Sequence, residues 1–120
     1  MAVKRSTVAR GRAAERQAAD AYRARGAEIL CMNYRAPGGE LDIVALEGEC
    51  VVFIEVKSRA TAKYGAPDEA VTPLKQRRIC KAALCYASEH GLMDAPMRFD
   101  VCAIDGKGVR IYENAFDYTV

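Results

Sequence analysis

Two acidic residues and a lysine are spaced so that they could act together: Asp42 in Gly39-Glu40-Leu41-Asp42-Ile43-Val44-Ala45, and Glu55 and Lys57 in Phe53-Ile54-Glu55-Val56-Lys57. Both segments are otherwise apolar and read as strands, in which successive side chains point to opposite faces. Glu55 and Lys57 therefore share a face, and Val56 points to the other. Charges on an apolar strand cost desolvation unless something there uses them, although Glu-x-Lys alone is also the pattern of a simple ion pair at a strand end. Asp42 adds to it. With a hairpin turning at Gly48, Asp42 lies six residues back and Glu55 seven forward, so the two carboxylates stand opposite to within about one residue. Two carboxylates forced together repel, and a divalent cation relieves the repulsion. Mg²⁺ takes one or two carboxylates together with waters and phosphate oxygens. Lys57 beside it could orient or help deprotonate a water, or stabilise charge developing on a phosphate.

The elements that must hold these groups follow from periodicity and turn chemistry. Residues 8–25 place Ala14, Ala18, Ala21 and Tyr22 at helical spacing among arginines, with Thr7 as N-cap and Gly26 as C-terminal stop. Ala27–Arg35, Glu40–Leu46 and Val51–Lys57 read as a three-strand meander, joined by the Ala-Pro-Gly-Gly turn at 36–39 and by Glu47-Gly48-Glu49. A polar loop from Ser58 to Thr72 leads to a second amphipathic helix, capped by Thr72 with Pro73 in its first turn and running to Gly91. Met97–Ile104 and Val109–Tyr112 read as the last two strands, around an Asp105–Gly108 turn. The order is α-β-β-β-α-β-β. The helical crossover between the third and fourth strands permits a parallel pairing, so a mixed β-sheet flanked by helices is expected.

Composition narrows the function classes. The chain has 120 residues, 51% of them hydrophobic, which suits a single domain over 1–120 with residues 1–7 as a flexible basic lead. Five cysteines without a Cys-x-x-Cys pair, and one histidine, His90, argue against a disulfide framework or a zinc site. No apolar run is long enough for a membrane span, and the expected location is the cytoplasm. The formal net charge of +2 conceals segregation. Residues 1–25 carry seven basic groups against Glu15 and Asp20, residues 38–56 carry five acidic groups and no basic one, and residues 57–81 carry seven basic groups against Asp68 and Glu69. An acidic block between two basic ones is either plain solvated surface or a carboxylate site within a surface that attracts polyanions.

Several motifs, in order, resemble those of the small bacterial YraN-like family: Gly11-x-x-x-Glu15, Gly39 to Ala45, Phe53 to Arg59, Tyr64-Gly65-x-Pro67, Lys75, and Arg98-Phe99-Asp100-Val101. Asp42, twelve residues, then Glu55-Val56-Lys57 is similar to the D…E-x-K signature of restriction-endonuclease-like nucleases, and the resemblance extends to archaeal Holliday-junction resolvases. It implies an α/β restriction-endonuclease-like fold and a metal-dependent DNA endonuclease acting on branched or structured DNA. It further implies Asp42, Glu55, Lys57 and Glu15 as catalytic residues. One or two Mg²⁺ (or Mn²⁺) ions would be held by Glu15, Asp42, Glu55 and the Val56 carbonyl, with phosphate contacts from Arg12, Arg59 and Lys75. Resolvases of this kind are two-fold dimers, which makes a homodimer the expected assembly. The competing class is a nucleic-acid-binding or adaptor module that keeps the fold without cutting, because a fold does not dictate a function. Other readings stay open for single residues. Glu15 also fits a helix-surface ion pair with a neighbouring arginine, and Glu40, beside a Gly-Gly turn, also fits a solvated carboxylate. Asp100 reads as a structural partner of Arg98 or a cap at the sheet end, and His90 as a helix C-terminal residue.

Overall fold

The computed structural model describes residues 7–58 and 71–119, with side chains from residue 11 onward in the first helix. The elements are α1 (Thr7–Ala24), β1 (Glu28–Ala36), β2 (Gly39–Glu47), β3 (Cys50–Ser58), α2 (Pro73–Glu89), β4 (Met97–Asp105) and β5 (Gly108–Phe116), in the expected order. The five strands form one sheet in sequence order, β1-β2-β3-β4-β5. The β3–β4 pair is parallel and the other pairs are antiparallel. This is the α/β arrangement, a mixed sheet flanked by helices, that the element order and the helical crossover predicted.

The alternation of β3 explains why a helix covers each face. Val51 and Phe53 join Leu41, Val44, Ile79, Tyr86 and Phe99 beneath α2, while Val52 and Ile54 join Ala14, Ala18, Tyr22, Ile43 and Cys102 beneath α1. A strand buried on both sides reads as a continuous apolar run, which is what Val51–Ile54 shows. α1 stops where expected. Gly26 takes φ 91°, a conformation glycine adopts without strain, and the Ala27 amide returns to the Tyr22 carbonyl at 3.0 Å. α2 starts where expected, with the Thr72 side chain accepting from the Lys75 backbone N–H at 3.2 Å. Gly39 lets α2 ride close to the start of β2, because a Cβ there would collide with the Arg78 carbonyl.

Most boundaries fall within two residues of expectation, and two differences stand out. The first helix includes Thr7, whose side chain lies outside the described residues. β5 runs to Phe116 rather than Tyr112, through a bulge that lets Asn114 sit at φ 50°. Glu113 and Asn114 interrupt the apolar alternation and mask the continuation. No helix among the described residues is long and apolar enough to cross a membrane.

Candidate metal and catalytic site

The site forms where β2 and β3 part. Their ladder runs from Glu47–Cys50 to Ile43–Ile54, and the same register carries Asp42 opposite Glu55. There the pairing ends and the Asp42 side chain takes over, with Oδ2 accepting the Val56 backbone N–H at 2.8 Å. A carboxylate thereby satisfies an amide that the diverging ladder leaves without a strand partner. Glu55 is 6% exposed and carries two ammonium neighbours on Oε1, Lys57 Nζ at 3.7 Å from its own strand and Lys75 Nζ at 3.0 Å from the first turn of α2. Lys57 is therefore on the Glu55 face, as alternation requires.

The electrostatics reflect two acids in one low-dielectric place. Burial first, and the neighbouring Glu55 charge second, push the Asp42 carboxyl up to about 7, with the Val56 N–H pulling the other way. Glu15 is also raised, chiefly by burial, with Glu40 and Glu55 adding to the shift and Asn33 and Arg12 opposing it. Glu15 projects from α1 and is 9% exposed. With the Asn33 amide oriented to satisfy both groups, its nitrogen donates to the two Glu15 oxygens at 3.1 and 2.8 Å. Glu15 is thus held inward by Asn33, and the arginine surface pair is not its arrangement. A cleft of about 340 Å³ is lined by Arg12, Glu15, Asn33, Glu40, Asp42 and Val56, among others.

Asn33 was not singled out by sequence reasoning. It sits at φ 56°, in the left-handed region that Asn tolerates better than most residues. Met32 packs beneath α1 and Tyr34 beneath α2, and across from them Ile43 packs beneath α1 and Leu41 beneath α2. Adjacent-but-one residues should share a face, so both strands switch faces at Asn33 and Asp42, the one unpaired position between Met32–Ile43 and Tyr34–Leu41. The signal available in the sequence was a lone Asn inside the run Cys31-Met32-Asn33-Tyr34.

Of the remaining candidates, Arg12 is exposed at the rim of this cleft, and Glu40 is exposed and lies 3.9 Å from Arg35 Nε. Lys75 contacts Glu55 directly, and Arg59 and Tyr64 lie outside the described residues. A second cleft of about 530 Å³ opens beside Lys75, lined by Arg35, Gly38, Gly39, Glu40 and Arg78. Asp100 is fully buried and pairs with Arg98 Nε at 3.0 Å, the structural role expected of it, and His90 is the C-cap of α2. Among the described residues no three Asp, Glu, His or Cys side chains converge as a ready-made metal cluster.

The Asp42 shift has a consequence for stability. The folded chain holds the Asp42 proton to about pH 7, whereas an unfolded chain releases it near the usual aspartate value of about 4. The stabilisation is therefore complete below about pH 4 and is lost as pH rises through about 7. In EDTA, the wild-type melting temperature should fall relative to Asp42→Asn between pH 5 and pH 8, by about 4 °C for each kcal/mol or so of penalty. Thermal unfolding by circular dichroism at pH 5, 6, 7 and 8 measures it, and parallel pH curves for the two proteins would refute it.

Comparison with known proteins finds that the family described as "Uncharacterised protein family UPF0102" matches residues 14–104. A UPF0102 protein of Geobacter sulfurreducens is 49% identical over 94 residues, covering 74% of this chain and 73% of its own. One from Desulfosudis oleivorans is 42% identical over 109 residues, 89% of each chain. A third, from Symbiobacterium thermophilum, is 41% identical over 111 residues, 88% of this chain and 94% of its own.

Proposed function

The chain belongs to the UPF0102 family, and we propose that it is a metal-dependent DNA endonuclease that hydrolyses phosphodiester bonds, with branched or structured DNA as its substrate class. The observation that carries this reading is the convergence of Asp42, Glu55 and Lys57 at the point where β2 and β3 part, with Asp42 pushed up to about 7 by burial and by Glu55. Two opposed carboxylates offer the oxygen ligands that a hard divalent cation takes.

The donor set fits a hard divalent cation. Asp42 and Glu55 are oxygen ligands, with the Val56 carbonyl and Glu15 as the further donors, and Mg²⁺ or Mn²⁺ needs only one or two carboxylates when waters and phosphate oxygens complete its shell. The lack of a three-acid cluster among the described residues is thus compatible with Mg²⁺. A cation bound there supplies Lewis-acid stabilisation of phosphate charge and a more acidic water. The chain's own groups do the rest. The Val56 N–H fixes Asp42, Asn33 fixes Glu15, and Lys57 presents an ammonium from a rigid strand to the attacking water or a phosphate oxygen. Arg12 at one cleft, and Arg35 and Arg78 at the other, flank the acids with the positive charge that draws a polyanion.

A second reading, a nucleic-acid-binding or adaptor module that does not cut, is favoured by the same lack of a three-acid cluster among the described residues. One experiment separates them. Purified protein with Mg²⁺ or Mn²⁺ is expected to cut at least one of single-stranded, duplex, flap and four-way-junction DNA, with cutting abolished by EDTA. Salt-dependent binding to these DNAs, with no metal-dependent cleavage of any, would decide for the second reading.

A further inference from the structure

Lys75, expected to contact phosphate, instead stands against one of the proposed cation ligands. Its Nζ lies 3.0 Å from Glu55 Oε1, closer than Lys57 at 3.7 Å, and both approach the same oxygen. Glu55 is 6% exposed, so with Asp42 ionised the local charge is two carboxylates against two ammonium groups. The cluster is neutral without any cation. Adding a dication would leave two surplus charges in a buried place, at a cost far above that of moving one exposed side chain. An ammonium that hydrogen-bonds Oε1 also occupies lone pairs that a cation would require.

Which lysine yields is decided by where each sits. The Lys57 side chain is 23% exposed and springs from the central strand. The Lys75 side chain is 41% exposed and springs from the first turn of a surface helix, with its backbone pinned by Thr72 and its ammonium held by the Glu55 contact. The place it can swing to is the cleft of about 530 Å³ that it shares with Arg35 and Arg78.

We propose that Lys75 is a positioning residue that holds the Glu55 carboxylate in the cation-free protein, is displaced by a divalent cation, and then serves the phosphate cleft beside Arg35 and Arg78. This rests on the reading of Asp42 and Glu55 as cation ligands. It makes cation and phosphate binding mutually reinforcing, because each draws Lys75 away from Oε1 and coupling between two sites is reciprocal.

Mn²⁺ titration followed by electron paramagnetic resonance tests this without reference to cleavage. Lys75→Gln should bind Mn²⁺ about ten-fold more tightly than wild type, the scale of one charge-assisted hydrogen bond released. Lys75→Arg should stay near wild type, because it restores the ion pair. Arg77→Gln, which removes an exposed charge of the same helix that lines neither cleft, should change the affinity by less than about two-fold. Circular dichroism confirms that each exposed-site variant is folded. If Lys75→Gln binds Mn²⁺ no more tightly than wild type while Glu55→Gln loses binding, the displacement is wrong and the cation site stands. Equal tightening in Arg77→Gln and Lys75→Gln would reduce the effect to general charge and overturn the role of Lys75. Wild type that binds no Mn²⁺, or Glu55→Gln that binds as wild type does, would remove the cation site and this proposal with it.

Discussion

Asp100→Ala should cost about 3 kcal/mol or more of unfolding free energy, the effect expected when one partner of a buried charged network is removed. Asp100 is fully buried and accepts from the Tyr22 hydroxyl at 2.7 Å, Arg98 Nε at 3.0 Å, Arg98 Nη2 at 3.2 Å and the Asn114 backbone N–H at 2.9 Å. Burial and the Asp100 hydrogen bond push the Tyr22 hydroxyl far up, so it remains a donor. Alanine leaves that donor and the Asn114 amide without an acceptor, and leaves Arg98 supported only by Glu47 at 2.7 Å and, more distantly, Glu113 at 3.8 Å. Against a total stability of about 5–15 kcal/mol for a domain, the loss is a large share. Urea denaturation measures it, with Asp100→Asn expected to fall between because it keeps an acceptor but loses the charge. A loss under about 1 kcal/mol would mean that the network is dispensable. The consequence reaches the site. Tyr22 and Glu15 lie on the same helix seven residues apart, about 10 Å along its axis, so the anchor at Asp100 also fixes how far Glu15 reaches toward Asp42.

How much of this was legible in the sequence depends on whether the signal was local. The central strand declared itself through an apolar run broken only by Glu55 and Lys57, and the caps at Thr72 and Gly26 carry their own chemistry. The Asp42–Glu55 juxtaposition was legible because a tight turn fixes register, and counting from Gly48 erred by no more than a residue. The switch of faces at Asn33 was not legible, since a left-handed residue inside a strand leaves no periodic trace beyond its own identity. Glu15 could be suspected of pointing inward from its helix face, but its partner Asn33 sits eighteen residues away on another element. Lys75 shows the same limit. Its charge suggested phosphate, whereas its nearest contact is Glu55, a partner that only the packing of α2 against the sheet reveals. The Arg98–Asp100 pair was expected from adjacency on one strand face, but Tyr22, Glu47 and Arg25 joined the network only through tertiary contact.

Lys57→Ala should lower metal-dependent DNA cleavage by about 10²–10³-fold, the range seen when a group that stabilises transition-state charge or moves a proton is removed. The same change should leave Mn²⁺ binding intact or slightly tighter, because it deletes a positive charge 3.7 Å from Glu55. Asp42→Ala should differ by losing both properties, since it removes a ligand and also the acceptor for the Val56 N–H. A lysine serving only to balance Glu55 would behave in the opposite way, with cleavage surviving its loss as the cation replaces its charge. Lys57→Arg separates charge from proton transfer. A guanidinium keeps the charge but does not give up a proton at accessible pH, so recovery of most of the rate assigns Lys57 to electrostatic stabilisation, and failure to recover assigns it to handling the water proton. Single-turnover cleavage of a labelled substrate, with Mn²⁺ held above its measured dissociation constant for each variant, distinguishes these outcomes. Lys57→Ala that cleaves within about ten-fold of wild type would take Lys57 out of the chemistry and leave it as a structural counter-ion of Glu55.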